Sequence, residues 1–333
     1  MSVFNLEEIP RIYLCSLPTP IEPLKRLSKH LGSINIFIKR DDLTGIAFGG
    51  NKNRKLEFLL ADAIEKGSDV IITEGAIQSN HCLQTAACAS KIGLECELVL
   101  SGAAPDFITG NLLLDQILDV KIHRIRENSD RSRYMKKLEQ HLKSEGKKPY
   151  IIPTGGSTKI GALGYLKCLS EILIQSNEMH ITFNYLVHST GSGGTQSGTL
   201  IGKEFYYPEL EVFGVSEGEP KEKLISEIKK IMREFDKEWN TNINFEKIEI
   251  NVLEGYFGAG YGIVNQELID TVKLVAKLEG IFLDPVYNGK AMIGLIDLIK
   301  TEVIPRNTNV LFLHSGGGPA IFNYSTEFGK SLK

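Results

Sequence analysis

The sequence predicts an α/β fold of two open, twisted, mainly parallel sheets flanked by helices, with the active site in the cleft between the two units. Three observations predict it. Short apolar runs of strand character alternate with helix-period segments along most of the 333 residues, and such alternation yields parallel sheets covered on both faces. The alternation falls into two blocks, separated by Pro153 and the Gly155-Gly156 pair, which argues for two sheets. The loops richest in glycine and polar residues follow strands and precede helices, where ligands of open α/β sheets bind.

The elements justify themselves in chain order. Ile34, Ile36 and Ile38 alternate with Asn35, Phe37 and Lys39, a strand pattern leading through Arg40-Asp41-Asp42 into Gly49-Gly50-Asn51-Lys52. Leu56, Leu59, Leu60, Ala63 and Ile64 then form one apolar helical face that stops at Gly67. A strand at Val70-Ile71-Ile72-Thr73, a helix from about Asn80 to Ile92 and a strand at Cys96 to Leu100 make a βαβ unit. A helix near Asn111 to Leu118, a strand at Lys121 to Ile125, a charged helix to about Ser144 and a strand at Tyr150 to Ile152 complete the first block.

The second block begins with a helix from about Ile160 to Gln175 and the strand Tyr185 to His188. A glycine loop, a helix to Phe205 and the strand Glu211 to Val215 follow. Further on, the pattern predicts a helix from about Gly262 to Leu278, a strand at Ile281-Phe282-Leu283, a helix from about Lys290 to Lys300 and a strand at Val310 to His314.

Composition narrows the function classes. With 42% hydrophobic and 24% charged residues, the chain is an ordinary globular one, and its net charge of -3, spread evenly, gives no electrostatic case for nucleic acid or an anionic membrane. Paired bases such as Lys136-Lys137 and Lys229-Lys230 sit beside acids on helical stretches and read as solvated faces. The N-terminus has neither a basic n-region nor an apolar h-region, and no window reaches membrane-span length, so a cytoplasmic protein is expected. Five cysteines without a CxxC pair read as free thiols, and no metal site is expected.

Lys52 carries the chemistry. It sits at a helix start, where the positive end of the helix dipole, the neighbouring cations Arg54 and Lys55, and any desolvation would depress its pKa and favour Schiff-base formation. The plainer reading of such a basic run is solvated charge. Gln78-Ser79-Asn80-His81 opens the next helix, so backbone N–H groups with the Ser79 hydroxyl and Asn80 amide could hold a substrate carboxylate; Ser79 could equally be a helix cap. Gly191-Ser192-Gly193-Gly194-Thr195 presents several N–H groups and a helix N-terminus to one phosphate. Four glycines between Gly191 and Gly198 would weaken a helix start with no packing gain. Gln196 stands where a dinucleotide fingerprint requires its third glycine. Tyr261 and Tyr287 lie in loops and could stack on a ring or move a proton, and Ser315 could bond a heterocyclic nitrogen. A primary amine, a phosphate cup, a carboxylate cradle and a hydroxyl for a ring nitrogen are what pyridoxal 5'-phosphate chemistry on an amino acid needs.

At Leu17-Pro18-Thr19-Pro20, Lys39-Arg40-Asp41-Asp42, Gly49 to Glu57, Gln78-Ser79-Asn80, Thr190 to Thr195 and Asp284-Pro285-Val286-Tyr287, the chain resembles the fold type II (tryptophan-synthase-type) pyridoxal-phosphate enzymes. Within them it is similar to the D-cysteine desulfhydrase and 1-aminocyclopropane-1-carboxylate (ACC) deaminase group. The resemblance implies Lys52 as the Schiff-base lysine and Gly191, Ser192, Gly193, Gly194 and Thr195 as the phosphate cup. It implies Gln78, Ser79, Asn80 and His81 around the substrate carboxylate, with Asn80 also at the cofactor. Tyr261 and Tyr287 would be the active-site tyrosines, and Asn288 and Ser315 would face the cofactor ring. It further implies a large cofactor-binding domain of residues 1–52 and 161–333, a small domain of residues 53–160, and a homodimer.

ACC deaminases carry Glu after the tyrosine of Asp-Pro-Val-Tyr; this chain has Asn288, which cannot supply that negative charge. A weaker electron sink suits β-elimination, so the sequence favours D-cysteine as substrate, giving pyruvate, ammonia and sulfide, with ACC deaminase and cysteate sulfo-lyase as alternatives. Two other classes stay open on residues alone. One is an NAD(P)-linked oxidoreductase, with Glu211 at the acidic position; the other is a non-catalytic protein that binds pyridoxal phosphate or an amino acid.

Overall fold

Uninterrupted apolar runs are strands buried on both faces, and that burial is what the chain builds around. The computed structural model describes residues 4–329 except 33, 104, 128, 129 and 242. The chain runs through β1 (Ile21–Pro23), α1 (Lys25–His30), β2 (Asn35–Lys39) and α2 (Asn51–Glu65). It continues through β3 (Val70–Ala76), α3 (Asn80–Lys91), β4 (Glu95–Ser101), α4 (Gly110–Ile117), β5 (Lys121–Ile125), α5 (Arg131–Ser144) and β6 (Pro149–Ile152). Then come α6 (Lys159–Met179), β7 (Tyr185–Thr190), α7 (Gly194–Tyr206), β8 (Glu211–Ser216), α8 (Lys221–Trp239) and β9 (Asn251–Leu253). The chain closes with α9 (Gln266–Glu279), α10 (Asn288–Lys300), β10 (Asn309–Leu313) and α11 (Ser325–Gly329).

Two sheets result. One has the order β1-β2-β10-β7-β8-β9 and the other β5-β4-β3-β6. Every pairing is parallel except β1 with β2. That antiparallel edge ends at Pro23, and the edge strand β5 carries Lys121 and Arg124 outward, devices that discourage further pairing. Among the described residues, no helix is long and apolar enough to cross a membrane.

The helices between the sheets pack unusually close. A Cβ on Gly198 of α7 would lie 2.3 Å from Ala162 O of α6, and one on Gly164 of α6 would lie 2.5 Å from Arg54 O of α2. The expectation that Gly198 brings no packing gain is therefore overturned: it brings α7 against α6. Beneath α2, the Arg54 guanidinium forks onto Asp41 (Nε to Oδ2 and Nη2 to Oδ1, both 2.8 Å) and also bonds Glu171 at 2.9 and 3.0 Å. Lys39 joins this buried cluster through Glu171 and Gln175. Burial pushes the Glu171 carboxyl up, but the Arg54 hydrogen bonds and charge, with Lys39, bring it down to about 2.

Two further expectations are corrected. Ile281-Phe282-Leu283 is not a strand: Ile281 and Leu283 are buried and Phe282 exposed, but the segment pairs with no strand, and β10 lies inside the sheet between β2 and β7. The ninth helix begins at Gln266 rather than near Gly262, because Asn265 caps it through Leu268 N.

Candidate active site

Lys52 stands in the first turn of α2, after a backbone that only glycine can follow: Gly50 has φ +142°, and a Cβ there would meet the Gln84 amide at 2.5 Å. A Gly50–Gly316 bridge joins this turn to the loop after β10. Lys52 Nζ donates to Asn51 Oδ1 at 2.8 Å, and Asn51 Nδ2 donates to Thr195 Oγ1 at 3.0 Å. The lysine is thus tied to the start of α7. Burial lowers its pKa to about 8, against the charges of Glu217 and Asp284 that favour the ammonium. Of the expected causes, Arg54 contributes nothing here, since its guanidinium turns away to Asp41 and Glu171.

The glycine loop lies against this amine. Gly193, with φ +78°, leads into α7, and Gly194 N donates to Ser157 Oγ at 3.1 Å, whose hydroxyl donates to Ser192 Oγ at 2.7 Å. A Cβ on Gly194 would sit 3.0 Å from Lys55 Nζ, so a buried amine flanks the cup. Lys55 donates to Gly155 O, and burial, then the Lys52 charge, holds its pKa well below the usual lysine value. Sequence reading missed Lys55; its i, i+3 spacing from Lys52 was the available signal. Thr190 Oγ1, at the loop's entrance, is buried without a hydrogen-bond partner among the described residues.

The second polar loop opens α3. Ser79 Oγ accepts from Cys82 N at 3.2 Å and so caps the helix, as the plainer reading held. Gln78 and Asn80 are braced by Asn111 of α4, whose backbone N donates to Gln78 Oε1 and whose amide donates to Asn80 Oδ1. His81 turns into the smaller sheet. Thr73 Oγ1 gives its hydrogen to Ile152 O, so His81 Nε2 donates to Thr73 Oγ1, and Nδ1 has no side-chain hydrogen-bond partner among the described residues. Burial, with Lys52 and Lys55 nearby, keeps the imidazole neutral.

Tyr261 and Tyr287 meet, hydroxyl to hydroxyl at 2.8 Å with rings edge-to-face. With Gln78, Asn80 and Tyr324 they line a cavity of about 210 Å³. Burial raises both phenols, which are protonated at neutral pH. Lys290 Nζ fastens the Tyr261 loop by donating to Gly260 O and Glu217 O. Asn288 is buried and fully engaged: Nδ2 donates to Asp284 Oδ1 (2.6 Å) and Gly316 O (2.7 Å), and Oδ1 accepts from Ser315 N and Oγ. Ser315 Oγ also lies 3.4 Å from Ser189 Oγ.

The arrangement therefore unites a depressed lysine amine, a glycine cup with a second amine beside it, a polar helix start and two protonated phenols. These groups fit a phosphorylated aldehyde, with Lys52 for the carbonyl, the cup and Lys55 for the phosphate, and Ser315 for a ring nitrogen. The dinucleotide alternative loses its opening, because Gln196 bonds Asn251 O from the place a third glycine would hold.

Comparison with known proteins agrees. A family model described as pyridoxal-phosphate dependent enzyme matches residues 12–316. Among solved structures, an ACC deaminase homologue is similar at TM-score 0.91 and 36% identity, over 98% of this chain and 97% of that one. The processed form of threonine deaminase isoform 2 from Solanum lycopersicum is similar at TM-score 0.70 and 16% identity, over 96% and 85%. A hydrogen sulfide-producing enzyme from Fusobacterium nucleatum is similar at TM-score 0.66 and 17% identity, over 95% and 97%. The last two speak to the fold alone.

Proposed function

The chain belongs to the pyridoxal-phosphate-dependent enzymes of fold type II, and from that premise we propose that it eliminates the β-substituent of a small amino acid, converting D-cysteine to pyruvate, ammonia and hydrogen sulfide. The observation that carries this reading is the neutral Asn288–Ser315 pair. The nearby carboxylate of Asp284 is spent on the N–H groups of Val286, Tyr287 and Asn288 and on the Asn288 amide. A ring nitrogen facing a serine hydroxyl and an engaged amide withdraws less electron density than one facing a carboxylate. Departure of a thiolate relieves charge at Cα and tolerates that weakness better than opening a cyclopropane ring does.

Bound here, the cofactor's aldehyde would take up the substrate amine and its ring would delocalise the charge developing at Cα. The protein's part is positioning and proton transfer. Gln78 and Asn80, held by Asn111, orient the substrate carboxylate at the N-terminus of α3. Lys52 Nζ, partly neutral at pH 7 to 8, removes the Cα proton. The Tyr261–Tyr287 pair, or the Ser79 hydroxyl, supplies a proton to the departing sulfur. Assembly as a homodimer belongs to the same reading.

The 36% identical ACC deaminase homologue favours a second reading, ring opening of ACC to 2-oxobutanoate and ammonia. Keto-acid release measured side by side with D-cysteine, L-cysteine, cysteate and ACC decides between them. The first reading expects D-cysteine to turn over fastest with equimolar sulfide; faster release of 2-oxobutanoate from ACC would overturn it. Lys52→Ala should abolish both turnover and the visible absorbance of the lysine-bound cofactor.

A further inference from the structure

Tyr261 sits on a loop with little to hold it in place locally. Gly258, Gly260 and Gly262 have φ of +59°, +144° and +71°, a backbone that glycine leaves free to rearrange. The tyrosine is 47% exposed, so packing alone does not fix it. The backbone bonds within the loop are long, Gly260 N to Phe257 O at 3.2 Å and Ile263 N to Gly260 O at 3.3 Å.

Two side chains from other elements supply the hold. Lys290 Nζ, in the first turn of α10, donates to Gly260 O at 3.0 Å, and the Tyr324 hydroxyl, at the end of the Gly318–Tyr324 turn, donates to Gly262 O at 3.0 Å. The carbonyls on either side of Tyr261 are thus gripped from two directions. Lys290 reaches further than Tyr324. Its second bond runs to Glu217 O at 2.9 Å, and it follows Tyr287 by three residues, on the same side of the helix start. Glu217 N donates to Thr190 O, and the Glu217 carboxyl fills the space beside Gly191, where a Cβ would meet Oε1 at 1.9 Å. Gly218 packs on Tyr261, where a Cβ would be 3.1 Å from that of the tyrosine. One amine therefore joins the Tyr261 loop, the helix start that carries Tyr287 and the wall of the glycine cup. Lys290 is 1% exposed, and a methionine of similar length would fill the space without the cost of burying a polar head, so its two carbonyl bonds point to positioning.

We propose that Lys290 is a positioning residue that holds the 258–262 loop so that the Tyr261 hydroxyl meets that of Tyr287, at 2.8 Å, beside the substrate cavity. Tyr324 provides the second hold. This role rests on the reading of the tyrosine pair as the source of the proton for the departing sulfur.

The test joins amide hydrogen exchange on the full chain, which needs no turnover, to a double-mutant cycle with D-cysteine. Lys290→Met keeps the side-chain length and removes its donors. Tyr324→Phe removes one hydroxyl, keeps the ring, and carries the test should Lys290→Met fail to fold. In both variants exchange at Gly260 and Ile263 should rise about five- to tenfold, as for loss of one hydrogen bond, while the amides of α10 from Ile293 onward keep their wild-type rates. Lys290→Met should lower kcat about ten- to hundredfold with KM changed by less than about twofold, because a misplaced proton donor slows the chemical step and not binding. In a Tyr261→Phe background either change should cost less than about twofold, since the group being aimed is already gone. Multiplying effects in the double variants, unchanged exchange at Gly260 and Ile263, or faster exchange along the whole of α10 overturns the proposal. Faster exchange confined to the loop, in a protein that releases no keto acid from any amino acid, would uphold the positioning of Tyr261 and overturn the enzymatic reading instead.

Discussion

Asn288 holds Ser315 through one carbonyl oxygen, its Oδ1 accepting from Ser315 N at 2.8 Å and from Oγ at 3.1 Å. The start of α10 is thereby tied to the loop that follows β10, while the amide's other end binds Asp284 and Gly316. Asn288→Glu removes both donors and sets a second buried carboxyl against Asp284. The introduced group has a folded-state pKa above its unfolded value, since burial and a like charge both favour the acid. Its unfavourable contribution is therefore absent below the unfolded pKa and grows as pH rises. Denaturant titrations should show a loss of about 3–5 kcal/mol at pH 8 and a visibly smaller one at pH 5. Equal losses at both values would refute the charge argument.

Arg54 makes a comparable prediction on the other side of Lys52. Its guanidinium satisfies Asp41 and Glu171 together, with a side chain that is 1% exposed. Arg54→Ala leaves two carboxylates in the interior and should cost about 3–5 kcal/mol, as removal of one partner from a buried pair does. Arg54→Lys should recover only part, because a point charge cannot reproduce the planar fork on Asp41. Chemical denaturation of the three proteins checks the order wild type, Lys, Ala.

How much of this was legible in the sequence depended on how local each cause was. The helix behind Lys52, the glycine loop and the cap at Ser79 are set by neighbours within a few residues, and the pattern shows them. Lys39, Arg54 and Lys55 look like solvated bases until α6 and the 155–156 turn, distant in sequence, close over them. Glu217 carries no motif at all, and its meaning comes only from contact with Gly191. The three-residue strands β1 and β9 are too short for a period to register. The Ile281–Leu283 alternation is real, but burial of alternate residues does not make a strand without a partner, and none pairs with it.

Gly198 tests the close packing that anchors the cup. Gly198→Ala would improve intrinsic helix propensity by roughly 1 kcal/mol, yet its Cβ would press on Ala162 O at 2.3 Å and the Tyr165 side chain at 2.6 Å. Overpacking against backbone outweighs propensity, so thermal denaturation should show net destabilisation of about 1–3 kcal/mol. A gain in stability would mean that α6 and α7 can separate freely. That would also remove the packing reason for this glycine and return it to the phosphate loop alone.

Asp115 should make stability fall with rising pH. It is buried in α4, and neither carboxyl oxygen has a hydrogen-bond partner among the described residues. Burial raises its pKa from 3.8 to about 7. The folded state therefore holds a proton that the unfolded state has released between those two values. The favourable contribution is complete below about pH 4 and is lost progressively as pH climbs to about 7. Asp115→Asn keeps the shape without the titration. Relative to wild type it should be nearly neutral at pH 4 and more stable by about 2–4 kcal/mol at pH 8, an order-of-magnitude figure for a shift of this size. Since Asp115 lies one helical turn from Asn111, which braces Gln78 and Asn80, the same titration should loosen the substrate-carboxylate loop. Amide hydrogen exchange at Gln78 and Asn80 should speed up above pH 7 in wild type, after correction for intrinsic rates, and not in Asp115→Asn.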